Sequence, residues 1–243
     1  KGDRVTGLPI SPCMKCDACR SGNYQYCSET WTDAIGLSLD NSGAYAEYTS
    51  CRPDMIRKIP NGVSYDAACM VEPSAVSLHA VNLASIKIGD TVLIIGGGII
   101  GLMAAEFAKM SGASYVALLE TNKKRGKKAV NYGKIDEYYD ALNSNSVSQL
   151  ITKTNGGFDK VIDCCGNAAA VSEALSCVKA GGKVIMVGVS MDSIPVPTIL
   201  GVMREVTMQG SIAYTPIEFD KCIDLISGKK INVTKYIDDF IKL

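Results

Sequence analysis

Apolar and polar segments alternate regularly through the middle of the chain. Residues 91–95, "TVLII", are apolar and mostly β-branched, which is typical of a strand buried on both faces. An alanine-rich segment with helical character follows, and further strands are predicted at 114–120, 159–166 and 183–188. Between the last two, residues 167–182 predict a helix that ends at glycines. This order predicts the α/β class, with a doubly wound parallel sheet covered by helices on both faces.

The two ends of the chain have a different pattern. Residues 1 to about 70 contain many turn residues and short alternating segments, and "GAYAEYTSC" at 43–51 predicts a short strand. A loop then leads into a helix that has Pro73 near its start. From residue 214 onward the pattern predicts a helix, a turn at Gly228 and a strand-like end. The α/β part is therefore flanked by segments of a different kind.

The composition excludes several classes of protein. The chain has 243 residues, a formal net charge of zero and 47% hydrophobic residues, which is enough for one large domain or two modest ones. It has no basic patch for nucleic acid and no apolar run near the ~18 residues of a membrane span. Several of its ten cysteines stand singly in apolar runs, as Cys177 does, which indicates free thiols in a reducing compartment. We therefore expect a cytoplasmic protein that binds neither nucleic acid nor membranes.

Four cysteines lie close together near the start of the chain. Cys13, Cys16, Cys19 and Cys27 have the spacing C-x2-C-x2-C-x7-C, and turn-forming residues separate them. Short gaps of this kind let successive thiolates point at one ion, and four thiolates complete the tetrahedron that zinc prefers. The alternatives are an iron–sulfur cluster, a pair of disulfides, or free thiols. Four protein ligands leave no open position for a substrate, so the predicted zinc is structural.

A glycine-rich turn follows the strand at 91–95. Gly96, Gly98 and Gly101 form G-x-G-x-x-G, in which the glycines serve a tight turn, a close approach to a pyrophosphate and close packing of helix on strand. The next predicted strand ends at Glu120, where a carboxylate can bind an adenosine ribose and repel a 2′-phosphate. This favours NAD over NADP. The cations at 123–125 either rescue binding of a phosphate or are only a solvated helix start.

Ligands of such sheets lie at the carboxyl ends of the strands, which places 164–166 and 187–189 near the cofactor. We interpret Cys164 and Cys165 as small residues at a strand end and not as reactive thiols, because nothing nearby in the sequence would lower their pKa.

Taken together, these segments resemble the zinc-dependent medium-chain dehydrogenases, in particular the polyol (sorbitol), butanediol and threonine dehydrogenase branch. The matching segments in chain order are "KGDRV", the cysteine loop, "GAYAEY", "VEPSAVSLHA", the glycine turn, the strand ending on Glu120, "VIDCCG", "AGGKVIMVG" and "REVTMQGS". The resemblance covers essentially the whole chain. It implies a partial GroES-like, mainly β catalytic domain at 1–72, a Rossmann NAD-binding domain at 73–213, and a truncated return segment at 214–243.

The resemblance also implies an activity. Members of this family transfer a hydride from a secondary alcohol or polyol, phosphorylated ones included, to NAD and so produce the ketone. A second, catalytic zinc acts as a Lewis acid on the alcohol. The implied partners are a small-molecule alcohol or polyol and further copies of the same chain in a dimer or tetramer. The alternatives are a non-catalytic NAD-binding relative and a zinc-free quinone reductase of the NADPH-dependent type.

Site residues follow from the matching positions. The four cysteines would hold the structural zinc, and Glu72 would bind the catalytic zinc directly or through water. Catalytic roles fall to Glu72 and Tyr214, although Ala213 stands where polyol dehydrogenases have an arginine. As the alternative, Glu72 is only a favourable charge at a helix start. The cofactor-binding residues implied are Gly96, Gly98, Ile99, Ile100, Gly101, Glu120, Arg125, Val187, Gly188 and Val189.

Two expectations concern what the chain lacks. In this family a cysteine and a Gly-His-Glu segment, which bind the catalytic zinc, precede the "GDRV" segment. This chain starts at Lys1, and we interpret its single histidine, His79, as a packed helix residue. We therefore expect an internal fragment of a dehydrogenase that does not oxidise alcohols alone.

Overall fold

The computed structural model describes residues 1–241, and the chain divides into two compact units. The split unit comprises Lys1–Val76 and Ile212–Leu243, and the sheet unit comprises Ser77–Ser211. The strands are β1 (Val5–Gly7), β2 (Ile56–Lys58), β3 (Thr91–Ile95), β4 (Tyr115–Glu120), β5 (Glu137–Asp140), β6 (Phe158–Asp163), β7 (Val178–Met186) and β8 (Thr207–Gly210). The helices are α1 (Asp17–Arg20), α2 (Tyr65–Ala68), α3 (Val71–Ala84), α4 (Ile99–Met110), α5 (Lys123–Asn131), α6 (Ser146–Lys153), α7 (Ala168–Cys177), α8 (Thr198–Arg204) and α9 (Pro216–Ser227).

The sheet unit is built on a parallel sheet with the order β5-β4-β3-β6-β7-β8. This is the Rossmann order, and it confirms the predicted doubly wound α/β fold. The central strands are apolar on both faces because helices cover both sides. The core cluster includes Leu93, Ile95, Leu119, Phe158 and Val184, none of them more than 2% exposed.

The strand order reverses at β3, which has β4 on one side and β6 on the other. Their carboxyl ends are aligned, since Ile95 lies opposite Leu119 in β4 and opposite Asp163 in β6. In open α/β sheets the crevice at such a reversal is where ligands bind. The fold therefore places the glycine turn, Glu120 and the end of β6 at one edge of the sheet unit.

The split unit joins both ends of the chain. Strands β1 and β2 pair antiparallel, and Arg57 in β2 forms an ion pair of 2.6 Å with Asp220 in α9. Helix α9 begins with a capping box, in which Thr215 accepts a hydrogen bond from the Glu218 amide while the Glu218 carboxylate accepts one from the Thr215 amide. The helix that the sequence predicts after residue 214 is therefore present and well capped.

Three expectations about local structure are wrong. Residues 43–51 contain a bend at 44–47 and no strand, and Tyr45 and Tyr48 are at least 90% exposed. An alternating pattern makes a strand only beside a partner, and β1 and β2 pair with each other. Residues 237–241 are likewise not a strand, while 242 and 243 lie outside the described residues.

The third wrong expectation concerns the helix at 167–182. Helix α7 ends at Cys177, and Val178 is already extended with ψ of 139°. Strand β7 begins there, because Val178 pairs with Phe158 across an irregularity in the ladder. Pairing with β6 thus determines this boundary more strongly than the glycines do. Among the described residues, no helix combines the length and apolar character needed to cross a membrane.

Candidate metal and cofactor sites

Short turns bring the four cysteines together in the split unit. A turn with Met14 at φ of 63° separates Cys13 from Cys16, and α1 then carries Cys19. A 3-10 turn at Tyr24–Tyr26 leads to Cys27. The four sulfur atoms all lie within 4.8 Å of one another. The sequence spacing therefore produces one compact cluster of thiols.

The cluster fits a tetrahedral zinc ion. The sulfurs of Cys13 and Cys19 are 3.9 Å apart, and a tetrahedron with Zn–S bonds of ~2.3 Å has edges of about 3.8 Å. The separation is nearly twice a disulfide bond of ~2.05 Å. The Cys16 amide donates to the Cys13 sulfur and the Cys13 amide to the Cys27 sulfur, both at 3.4 Å. Amide donors at Lys15 and Cys16 lower the pKa of Cys13 to about 6, which favours the thiolate that a metal binds, whereas burial raises the pKa of Cys19 to about 12. The distances between the sulfurs, and not the pKa values, are therefore the evidence for a metal site.

The glycine turn connects β3 to α4 in the sheet unit. Gly96 has φ of +97°, in the region that side chains rarely adopt. A Cβ on Gly101 would lie 2.0 Å from the Gly96 carbonyl oxygen, so only glycine allows α4 to pack this closely on the turn. A Cβ on Gly98 would have no atom within 4 Å apart from those of its neighbours in the chain. Gly96 and Gly101 are thus required by the backbone conformation and by the packing of α4. Gly98, the N-cap of α4, instead leaves open space at the helix N-terminus.

Glu120 lies at the end of β4 and faces this turn. Its Oε2 accepts a hydrogen bond from the Gly97 amide at 2.7 Å and lies 3.4 Å from Arg125 Nη1. Its Oε1 accepts hydrogen bonds from the Asn122 amide at 2.7 Å and the Thr121 hydroxyl at 3.1 Å. Burial raises the pKa of Glu120, but the amides of Asn122 and Gly97 more than offset it, so the pKa lies below its usual value. The carboxylate is therefore charged and rigidly held beside the turn.

The residues expected at the ends of β6 and β7 also lie at this edge. The Cys164 amide donates to the Ile95 carbonyl at 2.9 Å, and the Val187 and Gly188 amides donate to the Asp163 carbonyl at 2.8 and 3.0 Å. Val189 is 79% exposed. Burial raises the pKa of Cys164 above its usual value and that of Cys165 to about 11, which agrees with their interpretation as unreactive thiols.

Asp163 is the residue at this edge that sequence reasoning missed. Its side chain is fully buried and accepts hydrogen bonds from the amides of Cys165 and Gly166. The sequence pattern that could have revealed Asp163 is the one used for Glu120, namely an apolar strand that ends on a carboxylate.

Glu72 and Tyr214 lie in the split unit. Glu72 is the second residue of α3 and borders an open cavity of about 870 Å³, whose wall also contains Cys69, Tyr45 and Tyr65. Tyr214 is buried and stacks on Phe219 with 5.7 Å between ring centroids. Burial raises the pKa of Glu72, and the nearby Tyr214 hydroxyl opposes that shift.

Burial and the charge of Glu72 both raise the pKa of Tyr214. Its hydroxyl makes no hydrogen bond of normal geometry within residues 1–241, so the two groups influence each other by proximity. Of the described residues, only the four cysteines form a group of three or more potential metal ligands, and Glu72 belongs to no such group. The described residues therefore bring together one set of four thiols that could hold a metal ion, and they form no second group of this kind.

Comparisons with known proteins agree with this geometry. The family described as zinc-binding dehydrogenase matches residues 100–228, and the alcohol dehydrogenase GroES-like domain matches residues 1–61. A sorbitol dehydrogenase from Halalkalibacterium halodurans is 31% identical over 95% of this chain and 67% of its own length. A D-xylulose reductase A from Aspergillus clavatus is 27% identical over 99% of this chain and 68% of its own.

A solved structure supports the same relationship. A protein from Sinorhizobium meliloti, solved with NADP bound, has a TM-score of 0.85 and 30% identity over 95% of this chain and 67% of its own. The first family match alone spans more than half of the 243 residues. The chain therefore belongs to the zinc-dependent medium-chain dehydrogenases, a family of alcohol and polyol oxidoreductases, as its cysteine loop and glycine turn predict.

Proposed function

We propose that this protein oxidises a secondary alcohol or polyol to the ketone and passes the hydride to NAD. The carbinol carbon gives its hydride to the nicotinamide ring, and the hydroxyl proton is released to a base or to solvent. The relatives named as sorbitol dehydrogenase and D-xylulose reductase support a polyhydroxylated substrate. The sheet unit would bind the cofactor, and the split unit would contribute to catalysis.

One observation carries the dinucleotide part of the proposal. The glycine turn, the open N-terminus of α4 and the charged carboxylate of Glu120 converge at the strand reversal of the sheet unit. Amide N–H groups at a helix N-terminus suit a pyrophosphate, and a carboxylate at the end of the second strand suits ribose hydroxyls. Gly98, Ile99, Ile100 and the segment 187–189 would line the rest of the cofactor.

The choice between NAD and NADP depends on the surroundings of Glu120. The buried carboxylate would repel a 2′-phosphate, which supports NAD. Two nearby cations are engaged with carboxylates, Arg125 with Glu120 and Lys123 with Asp140 at 3.1 Å. The Sinorhizobium relative nevertheless binds NADP. We propose NAD as the preferred cofactor. The affinities of the chain for NADH and NADPH test this preference.

Two metal roles are proposed. The four cysteines hold a structural zinc that fastens the loop at 13–27. Glu72 contributes to a catalytic zinc, directly or through water, and Tyr214 lies beside it as a buried neighbour. A zinc ion at such a position would lower the pKa of a bound alcohol.

The test combines cofactor binding with substrate oxidation. The purified chain is titrated with NADH and NADPH, and binding is followed by nucleotide fluorescence. The protein at its full natural length is then assayed with NAD⁺ and a panel of sorbitol, xylitol, a secondary diol and a primary alcohol, with and without zinc. We expect tighter binding of NADH than of NADPH, and zinc-dependent oxidation of at least one polyol.

Other outcomes would contradict specific parts of the proposed function. Failure to bind either nucleotide would exclude the proposed site at the glycine turn. Cofactor binding without oxidation of any alcohol would support a non-catalytic relative. Tighter binding of NADPH, together with activity that persists without zinc, would support the quinone-reductase alternative.

A further inference from the structure

Asp163 occupies a central place at the carboxyl edge of the sheet. It is the last residue of β6, and its main-chain carbonyl accepts hydrogen bonds from the amides of Val187 and Gly188 at 2.8 and 3.0 Å. These two residues follow β7 directly. One backbone carbonyl therefore holds the start of the segment proposed to contact the cofactor.

The Asp163 side chain holds a second segment. Its Oδ1 accepts from the Cys165 amide at 2.8 Å and from the Gly166 amide at 3.2 Å, and Oδ2 lies 3.2 Å from the Gly166 amide. The residue is 0% exposed, so water cannot replace these donors. The carboxylate thus fixes the turn that leaves β6.

The two segments held by Asp163 contact each other through glycines. A Cβ on Gly188 would lie 2.1 Å from the Gly166 nitrogen, and a Cβ on Gly166 would lie 2.3 Å from the Gly188 carbonyl carbon. The backbones are therefore packed directly against each other, without side chains between them. A small displacement of the 164–166 turn must move residues 187–189 as well, because no flexible side chain can absorb it.

We propose that Asp163 is a positioning residue for cofactor binding, which sets the placement of segment 187–189 through the turn at 164–166. This inference rests on the proposed function, since it assumes that a nicotinamide dinucleotide binds at this edge. Asp163 itself touches backbone amides, and its effect on the cofactor is indirect.

The chemistry of the contact explains why a carboxylate is needed. Both carboxylate oxygens are acceptors, and both face amide donors. In Asp163→Asn an NH₂ group replaces one of the two oxygens. If it replaces Oδ2, it faces the Gly166 amide, and two donors then point at each other. If it replaces Oδ1, the Cys165 amide loses its acceptor. A buried donor without a partner is costly, so the turn is expected to shift.

Asp159 offers a matched control on the same strand. It is the second residue of β6, at the opposite end of the sheet, and its Oδ2 accepts from the amide and the hydroxyl of Thr91, both at 2.9 Å. Asp159 also forms an ion pair with Lys179, which Asp163 lacks, so Asp159→Asn is expected to cost stability through that pair as well. It removes a carboxylate that accepts from a backbone amide, but at the end of the strand away from the proposed cofactor edge.

The experiment measures NADH affinity and stability for the wild-type chain and both variants. For Asp163→Asn we expect the Kd for NADH to rise about tenfold or more, after comparison at equal folded fraction. For Asp159→Asn we expect the Kd for NADH to change by no more than about twofold. This should hold even if its melting temperature falls as far as that of Asp163→Asn. Zinc content should stay unchanged in both, because the four clustered cysteines at 13–27 lie outside the sheet unit.

The outcomes separate this inference from the proposed function. If the wild-type chain binds neither NADH nor NADPH, the proposed function itself fails. If the wild-type chain binds NADH and Asp163→Asn binds equally well, or both variants lose affinity in proportion to stability, only the positioning role fails.

A further measurement keeps the inference testable if Asp163→Asn does not fold. In the wild-type chain, the amides of Cys165, Gly166, Val187 and Gly188 should exchange slowly with deuterium even without cofactor. Adding NADH should slow exchange further at 187–189. Fast exchange at 165–166 in the free protein, or no effect of NADH at 187–189, would overturn the proposal.

Discussion

At Glu120 a single carboxylate accepts hydrogen bonds from two backbone amides and a hydroxyl, and lies beside an arginine. These contacts favour the charged form and hold the pKa of Glu120 below its usual value near 4.5. A carboxyl whose pKa is lowered by folding stabilises the folded state above that usual value. The stabilisation is lost as the pH falls through the lowered pKa.

We therefore predict that Glu120→Gln lowers the free energy of unfolding at pH 7 by about 1–3 kcal/mol. The difference from wild type should shrink below pH 4.5, where the unfolded wild-type chain takes up a proton at this group. Urea unfolding at several pH values measures it. Glu137→Gln is the comparison, because Glu137 is 43% exposed, pairs with Lys153 and accepts a hydrogen bond from the Tyr115 hydroxyl at 2.7 Å, which also lowers its pKa. Its loss should follow the same pH dependence but be smaller than that of Glu120→Gln, because water reaches the Glu137 carboxylate. A pH-independent difference for Glu120→Gln would contradict the assignment.

At the scale of elements, Gly98 and Gly101 have different roles at the junction of β3 and α4. A Cβ at position 101 would collide with the Gly96 carbonyl, whereas a Cβ at position 98 would enter open space. We predict that Gly101→Ala lowers the free energy of unfolding by about 3 kcal/mol, because helix and turn must separate. Gly98→Ala should change it by less than about 1 kcal/mol but weaken NADH binding. Unfolding curves and nucleotide titrations measure the two effects, and equal stability losses would refute this division.

Helix α9 depends on its capping box in the split unit. Thr215→Ala removes the hydroxyl that accepts from the Glu218 amide at 3.3 Å, and we predict a loss of about 1 kcal/mol in unfolding free energy. The matched control is Thr152→Ala on the exposed face of α6, where the Thr152 hydroxyl only donates to the Ser148 carbonyl. Chemical denaturation of both variants measures the difference. Equal effects would show that the cap contributes nothing beyond a general threonine-to-alanine change.

At the scale of the whole molecule, the proposed structural zinc would act on one segment of one unit. Its four ligands lie between residues 13 and 27, and the sheet of Ser77–Ser211 contributes none. We predict that chelation raises hydrogen exchange across 11–30, while the amides of β3, β4 and β6 keep their protection. Mass-spectrometric exchange measures this, and added zinc should restore protection. Equal loss of protection in the sheet would contradict a local role.

A pair of cysteine variants provides the control for that experiment. Cys19→Ser removes a ligand of the cluster and should lower the zinc content of the chain and reproduce the effect of the chelator. Cys69→Ser changes an exposed thiol outside the cluster and should leave the loop at 11–30 protected. Unchanged zinc content in Cys19→Ser would refute the four-thiolate site.

The sequence alone determined the features that depend on local spacing. Two-residue gaps between cysteines predict a zinc loop, the glycine spacing at 96–101 predicts a tight turn, and apolar runs of strand length predict the parallel sheet. Each of these patterns can be read within a short stretch of the sequence. They were sufficient to identify the fold class and the family.

The tertiary structure decided what depends on partners far apart in the chain. The segment at 43–51 has the alternation of a strand but no neighbouring strand, and α7 ends at Cys177 because β7 pairs with β6. Gly166 and Gly188 are 22 residues apart, and only the pairing of β6 with β7 presses them together beside the buried carboxylate of Asp163. Spacing cannot reveal such contacts, because they arise when separate strands pack and bury their polar groups against one another.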